Sequence, residues 1–189
     1  MITVAVRCGA LSEADRAQWS VSPFEAIGPL RFGMTRDEVE EALRGVAVRA
    51  FRTGSTTGSS GGVVFDVPDA APMVPSSVVS TYYDLSDVLA CVAIDARNGP
   101  QVILDGIRLV GRVPSELEDN FIDYLEARDR MVTYNQHGDF SSDAVGVIVR
   151  AQRVDDVVLS RPVFVSSEWA DRCGDVSEDP VPQSEWQVR

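Results

Sequence analysis

Beyond Thr35 the apolar positions recur with a helical period: Val39, Ala42, Leu43 and Val46 fall on one face. Thr35 is a good amino-terminal cap, Glu38 three residues later completes the capping-box spacing, and Gly45 is a natural stop. A second stripe, Leu117, Phe121, Tyr124 and Leu125, predicts a longer helix, opened by Pro114 at the first helical position, where proline is best tolerated. Elsewhere the period falls to two. Strands are predicted over 2–7, 46–52, 63–67, 79–84 and 88–95, and again over 131–134, 145–151, 157–160 and 163–166. Ser86-Asp87 and Asp155-Asp156 are the tight turns between the last strands of each group. Ser12, three residues before Asp15, predicts a short amino-terminal helix ending near Trp19.

The two groups echo each other. Gly28 to Gly33, followed by Asp37 to Leu43, returns seventy-eight residues later as Gly106 to Gly111 and Ser115 to Phe121 without a gap. Two glycines that bracket an apolar step before an amphipathic helix are unremarkable once; in register they predict a duplicated unit. The expected fold is α+β: two tandem helix-plus-antiparallel-strand units share one curved sheet, with helices on one face. Residues 1–21 form an amino-terminal strand and short helix, 22–105 the first unit, 106–170 the second and 171–189 an acidic tail. Edge-to-edge joining of the units removes two exposed strand edges. The nine residues Gly54 to Gly62, all Gly, Ser or Thr, have no counterpart in the second unit and are expected to form a mobile hairpin tip. Residues 68–75 are a Pro-rich loop, and the tail is expected to be partly disordered and pinned at Trp186.

The segment Gly28, Leu30, Phe32, Gly33, Met34, Thr35, Glu38, Val39, followed by strands whose hairpin turn carries Asp87-Val88, resembles the repeat of the outer-membrane-assembly lipoproteins. Its tandem form resembles the β-lactamase inhibitor proteins, and many proteins of actinobacterial type are similar in this opening. The resemblance implies a curved sheet whose second face stays open to a protein partner. The paired cysteines of the secreted inhibitors are missing here, so an immunity or inhibitor protein of the cytoplasm is the expectation.

Composition sharpens that picture. The chain of 189 residues carries a formal net charge of -12, and its 17 basic residues are all arginine. Such a surface repels a polyanionic duplex and attracts a basic protein, so the expected partner is a basic toxin or enzyme, with no nucleic acid and no membrane. No apolar run approaches the ~20 residues of a membrane-spanning helix. The first residues read as a strand and not as an export signal, which is why a cytoplasmic location is expected. Cys8, Cys91 and Cys173 show no metal-type or redox-type spacing and read as buried free thiols.

No catalytic constellation is legible. His137, the one histidine, sits in Asn135-Gln136-His137-Gly138-Asp139, a hairpin-loop sequence, and is expected to be an exposed turn residue. The acidic clusters around Glu38 and Glu116 lie in first helical turns, where the macrodipole favours negative charge without any metal. Neither a catalytic residue, a metal nor a cofactor is therefore predicted. Tyr82 and Tyr83 are adjacent in a strand, so one must face away from the helix-covered core, where an exposed tyrosine is a common interface anchor. The residues expected to bind a partner are Tyr82, Tyr83, Tyr134 and Asp84 together with the loop residues Gly54, Ser55, Thr56, Thr57 and Gly58. The competing reading is a small-molecule-binding or enzymatic module with a pocket between sheet and helices.

Overall fold

A computed structural model of the chain describes residues 9–47, 49–55, 58–67, 76–172 and 180–188. The fold is mixed α+β and mostly sheet. Strands β1 (Gln18–Ser22), β2 (Ala26–Ile27) and β3 (Leu30–Arg31) lead into helix α1 (Arg36–Ala42), then β4 (Arg49–Thr53), β5 (Gly61–Asp66), β6 (Ser77–Tyr83) and β7 (Leu89–Ile94). Next come β8 (Gln101–Leu104), β9 (Ile107–Arg108), helix α2 (Pro114–Glu126), β10 (Thr133–Tyr134), β11 (Phe140–Ser142), β12 (Val147–Val154) and β13 (Val157–Val165). A one-turn helix α3 (Gln183–Trp186) follows. Eight strands form one sheet in the order β10-β11-β12-β13-β7-β6-β5-β4; the other five form a second, β3-β2-β1-β8-β9. No helix among the described residues is long and apolar enough to cross a membrane.

Helix α1 is only seven residues long and would not persist alone. Its capping box forms as the spacing predicts: Thr35 accepts from the Glu38 amide while the Glu38 carboxylate takes the Thr35 amide at 2.8 Å. The Thr35 amide, and then the Thr35 hydroxyl donating at 2.8 Å, hold the Glu38 carboxyl below its usual range. Val39 and Leu43 anchor the helix in the core. In α2 the predicted stripe buries Leu117, Phe121 and Leu125, and the Phe121 ring meets Phe140 of β11 at 5.5 Å between centroids. Both helices and the buried side of the five-stranded sheet, including Trp19, Ile27, Leu30 and Leu104, pack on one face of the large sheet. That face is supplied by alternate strand residues such as Val63, Phe65, Tyr83, Val92, Val147, Val149 and Phe164.

Some expectations need correction. Residues 13–15 form only a 3-10 turn, and Trp19 lies in β1 instead of ending a helix. The buried Arg16 donates to the carbonyls of Gly99 and Ala96 at 2.5 and 2.6 Å, which draws the chain out straight for parallel pairing of β1 with β8. Residues 157–165 are one nine-residue strand and not two. The β7 ladder begins at Val163, so the missing N–H of Pro162 falls outside it. Gly61 and Gly62 are buried in β5, which shortens the glycine-rich tip. The predicted strand over 2–7 and the Pro-rich loop over 68–75 lie outside the described residues.

All four glycines of the echoed segments have left-handed backbones, with φ of 55° at Gly28, 88° at Gly33, 92° at Gly106 and 67° at Gly111. Their surroundings differ. A β-carbon on Gly28 would lie 2.4 Å from the Trp19 ring, whereas one on Gly106 would meet nothing within 4 Å. Gly106→Ala should therefore lose about 1 kcal/mol from backbone strain alone. Gly28→Ala should lose roughly 1–3 kcal/mol more, because the indole must move. Equal midpoints for the two variants in urea melts would contradict this assignment.

Candidate functional site

The second face of the large sheet is where the structure departs most from expectation. Because β6, β7, β12 and β13 alternate, the residues between the core positions point away from the helices: Tyr82, Cys91, Ala93, Ile148, Val163 and Val165. They do not meet an open surface. Trp169, Ala170, Val181 and Trp186 close over them in a second apolar cluster. The expected disordered tail is thus docked at residues 180–188, and Trp186 is its pin as predicted; 173–179 lie outside the described residues.

Beside that cluster the same alternation places Asp95, Arg150, Gln152 and Arg161 on the same face, all buried. Glu185 of α3 enters among them with no exposed surface. The Arg161 guanidinium grips its carboxylate with a fork, Nε to Oε1 at 2.6 Å and Nη2 to Oε2 at 2.9 Å. The Tyr82 hydroxyl donates to Oε2 at 2.8 Å. Arg150 lies on the other side, donating from Nη1 to the Glu185 carbonyl and from Nη2 to the Trp186 carbonyl at 3.0 Å, with its guanidinium 5.0 Å from the centre of the indole. Arg150 also faces Asp139 at 3.5 Å.

Asp95 completes the network. Its carboxylate accepts from Gln152 Nε2 at 2.9 Å, Arg161 Nη1 at 3.3 Å, Ser77 at 3.0 Å and the amides of Arg97 and Asn98. Burial works against the charge on Arg161, but Glu185 and Asp95 outweigh it and hold the guanidinium firmly protonated. Burial, and then the Glu185 carboxylate, push the Tyr82 phenol well above its ordinary value. The set holds two guanidiniums and a phenol aimed at a carboxylate. It can recognise a carboxylate; it presents no activated nucleophile or poised base.

The residues expected to bind a partner scatter. Tyr82 and Tyr83 do face opposite sides, but the expectation of an exposed tyrosine is corrected, since both are buried. The C-terminal segment covers Tyr82, and the Arg36 guanidinium stacks 4.0 Å above the Tyr83 ring. Tyr134 is about half exposed at the far edge of the sheet, its hydroxyl donating to Glu118 at 2.6 Å. Asp84 closes its own turn by accepting the amides of Ser86 and Val88 at 2.8 and 3.2 Å. Gly54 and Ser55 are exposed after β4, Gly58 lies beside Pro180, and Thr56 and Thr57 are outside the described residues. The loop therefore converges with the Asp84 turn: Arg36 bridges Asp87 and Ser60, and Ser59 donates to the Tyr83 carbonyl at 2.8 Å. Tyr134 belongs to neither.

His137 is an exposed turn residue, as its sequence context predicts. Among the described residues no three His, Cys, Asp or Glu converge as a metal centre. A shallow hollow of about 380 Å³ at the start of α2 is lined by Glu13, Arg108, Arg112, Glu116 and Asn120, and Arg108 is spent on Glu13 at 2.9 Å. The residues missed from sequence are Arg150, Arg161, Asp95 and Glu185. The two arginines carry one signal, a charge inside a mostly apolar strand, at Arg150 after Val147–Val149 and at Arg161 before Val163.

Removing one partner of a buried pair leaves the other charge uncompensated. Glu185→Ala should cost about 3–5 kcal/mol, while Tyr82→Phe, which deletes one bond to that carboxylate, should cost about 2 kcal/mol. The phenol also sets an alkaline limit. Above the ordinary tyrosine value of 10.0 the unfolded chain releases a proton that native Tyr82 keeps, so stability falls as pH rises and is unaffected by this group below that value. Urea melts between about pH 8 and 11 should show a shallower alkaline decline for Tyr82→Phe than for the unaltered chain; parallel declines would refute the assignment.

No protein-family model, no curated protein and no solved structure matches the chain.

Proposed function

We propose that this chain is a non-enzymatic protein-binding module of the immunity or inhibitor kind that occludes a basic partner. The observation that carries the reading is the β6–β7 turn. Leu85 is 75% exposed at its tip, between Asp84 and Asp87. Such a side chain is a suitable apolar anchor, and the carboxylates around it suit a basic rim on the partner. The turn is also rigid before any encounter. Asp84 caps it from within, and Asp87 is tied to Arg36 at 2.8 Å and to Ser60 at 2.7 Å. Hydrogen bonds from Arg36 and then Ser60 keep the Asp87 carboxyl below its usual range, hence charged. A pre-ordered tip loses little entropy on binding. The adjoining Gly54 and Ser55, exposed after β4, and the half-buried Gly58 widen the surface. With much of the second sheet face covered by residues 180–188, the contact falls on these loops instead of the open face first expected.

The same proposal takes the chain as two copies of one helix-plus-strands unit, of the kind found in the β-lactamase inhibitor proteins. Three observations support it. A two-strand hairpin, a helix and four strands follow one another twice along the chain. Strands β4 to β7 and β10 to β13 lie in mirrored order about the β13–β7 pair. The echoed glycines share left-handed backbones.

A small-molecule role would have to use the hollow at the start of α2, whose walls are mostly polar and charged. The two readings part experimentally. The binding module should form a one-to-one complex that inhibits a basic protein and weakens with salt, since surface charge is screened over ~3 Å at 1 M against ~10 Å at 0.1 M. Leu85→Ala should weaken the complex about tenfold, the loss expected of an interface anchor. A complex indifferent to both changes, or metabolite turnover by the purified chain, would defeat the proposal.

A further inference from the structure

The loop proposal leaves the buried guanidiniums of the second face without a role beyond the fold. We propose that the cradle of Arg150, Arg161 and Tyr82 is a binding site for a helical turn that presents a carboxylate followed by an indole. It is filled in cis by Glu185 and Trp186, and a partner's acidic segment of the same chemistry can take it in trans.

Three observations carry this. The cradle grips two adjacent residues by the contacts used to recognise a peptide: a forked guanidinium and a phenol on the side-chain carboxylate, a second guanidinium on two successive main-chain carbonyls, and that guanidinium near the indole face. The occupant is a helix of four residues, far too short to be stable on its own, so the cradle orders it and not the reverse. The fit is also incomplete. Trp186 Nε1 is a buried donor without a hydrogen-bond acceptor among the described residues, and Arg150 Nε has only the Asp139 carboxylate at 3.5 Å, so a rival segment that brings an acceptor for its own indole N–H gains a bond that the chain's own turn does not make.

The site also adjoins the proposed binding loops. Pro180, the first described residue of the segment, lies 3.8 Å from where a β-carbon of Gly58 would stand. A partner held at Gly58 and the neighbouring β6–β7 turn is therefore beside the edge of the segment it would replace. The tethered turn competes at an effective concentration on the order of millimolar, so a free peptide enters readily only when the cis contact is weakened.

The test is a fluorescein-labelled peptide of residues 180–188, titrated by anisotropy into the full chain and into its Trp186→Ala variant. The variant should bind at least about tenfold more tightly than the unaltered chain, and the same peptide carrying Glu185→Gln should bind at least about tenfold more weakly. Val181→Ala, which loosens the segment and leaves the cradle intact, replaces Trp186→Ala if circular dichroism shows that variant unfolded. Hydrogen exchange on the unaltered chain gives an independent reading. The amides of Glu185 and Val188, bonded within the segment to Pro182 and Glu185, should exchange about a hundredfold faster than those of β12 and β13. No peptide binding to a folded variant up to about millimolar concentration, or segment amides that exchange only with the central strands, would overturn the proposal and make the turn a permanent part of the core. Either result leaves the Leu85 surface to be judged by its own complex.

Discussion

The Arg161–Glu185 fork is the constraint on which the second half of this molecule turns. A guanidinium on a central strand, pointing away from the main core, would be a severe liability if covered by apolar side chains alone. Covered by Glu185, and shared with Asp95, it is compensated on every side. The carboxylate in turn has no reason to leave water except that fork, the Tyr82 hydroxyl and nearby Arg150. Each charge thus requires the other's position, and together they fix where residues 180–188 lie. Buried pairs of this kind contribute little net stability but penalise any arrangement that separates them.

This requirement has a geometric consequence for the whole sheet. One face carries α1, α2 and the five-stranded sheet; the other carries the C-terminal turn. A sheet covered on both sides at its centre can meet another protein chiefly through its edges and connecting turns. Several exposed apolar side chains sit accordingly: Leu85 at a hairpin tip, Phe51 on the edge strand β4, Tyr134 on the edge strand β10, and Val157 and Val158 beside the β12–β13 turn. Arg36 couples one of these places to the interior, since it stacks on buried Tyr83 while holding Asp87 and Ser60 at the surface.

Much of the fold was legible in the chain because it rests on local physics. The capping box at Thr35 and Glu38, the Leu117, Phe121, Leu125 stripe, the Asp155 turn with its left-handed φ of 56° and the period-two strands need only near neighbours to form. Where expectation failed, a distant partner was responsible. Arg16 reaching Gly99 and Ala96 turned a predicted helix into an extended run, and a tail that reads as polar and Pro-punctuated docked because Arg150, Arg161 and Tyr82 waited on strands far earlier in the chain. Of the candidate site, Asp84 lies in the turn where sequence reasoning put it, Gly54 and Ser55 are exposed after β4, and Tyr134 is half exposed on β10.

By itself, then, the amino-acid sequence determined the two main helices, most strands of the large sheet, the echoed segments, the net negative charge and the alternation of faces along those strands, because periodicity and backbone sterics act within a few residues. It also determined that Tyr82 and Tyr83 oppose each other. Only the tertiary structure decided what covers each face: the order in which strands pair, the parallel seating of β1 on β8, and the descent of Glu185 onto Arg161. Those outcomes depend on contacts between residues far apart in the chain, whose charges mean nothing to one another until folding removes the water between them.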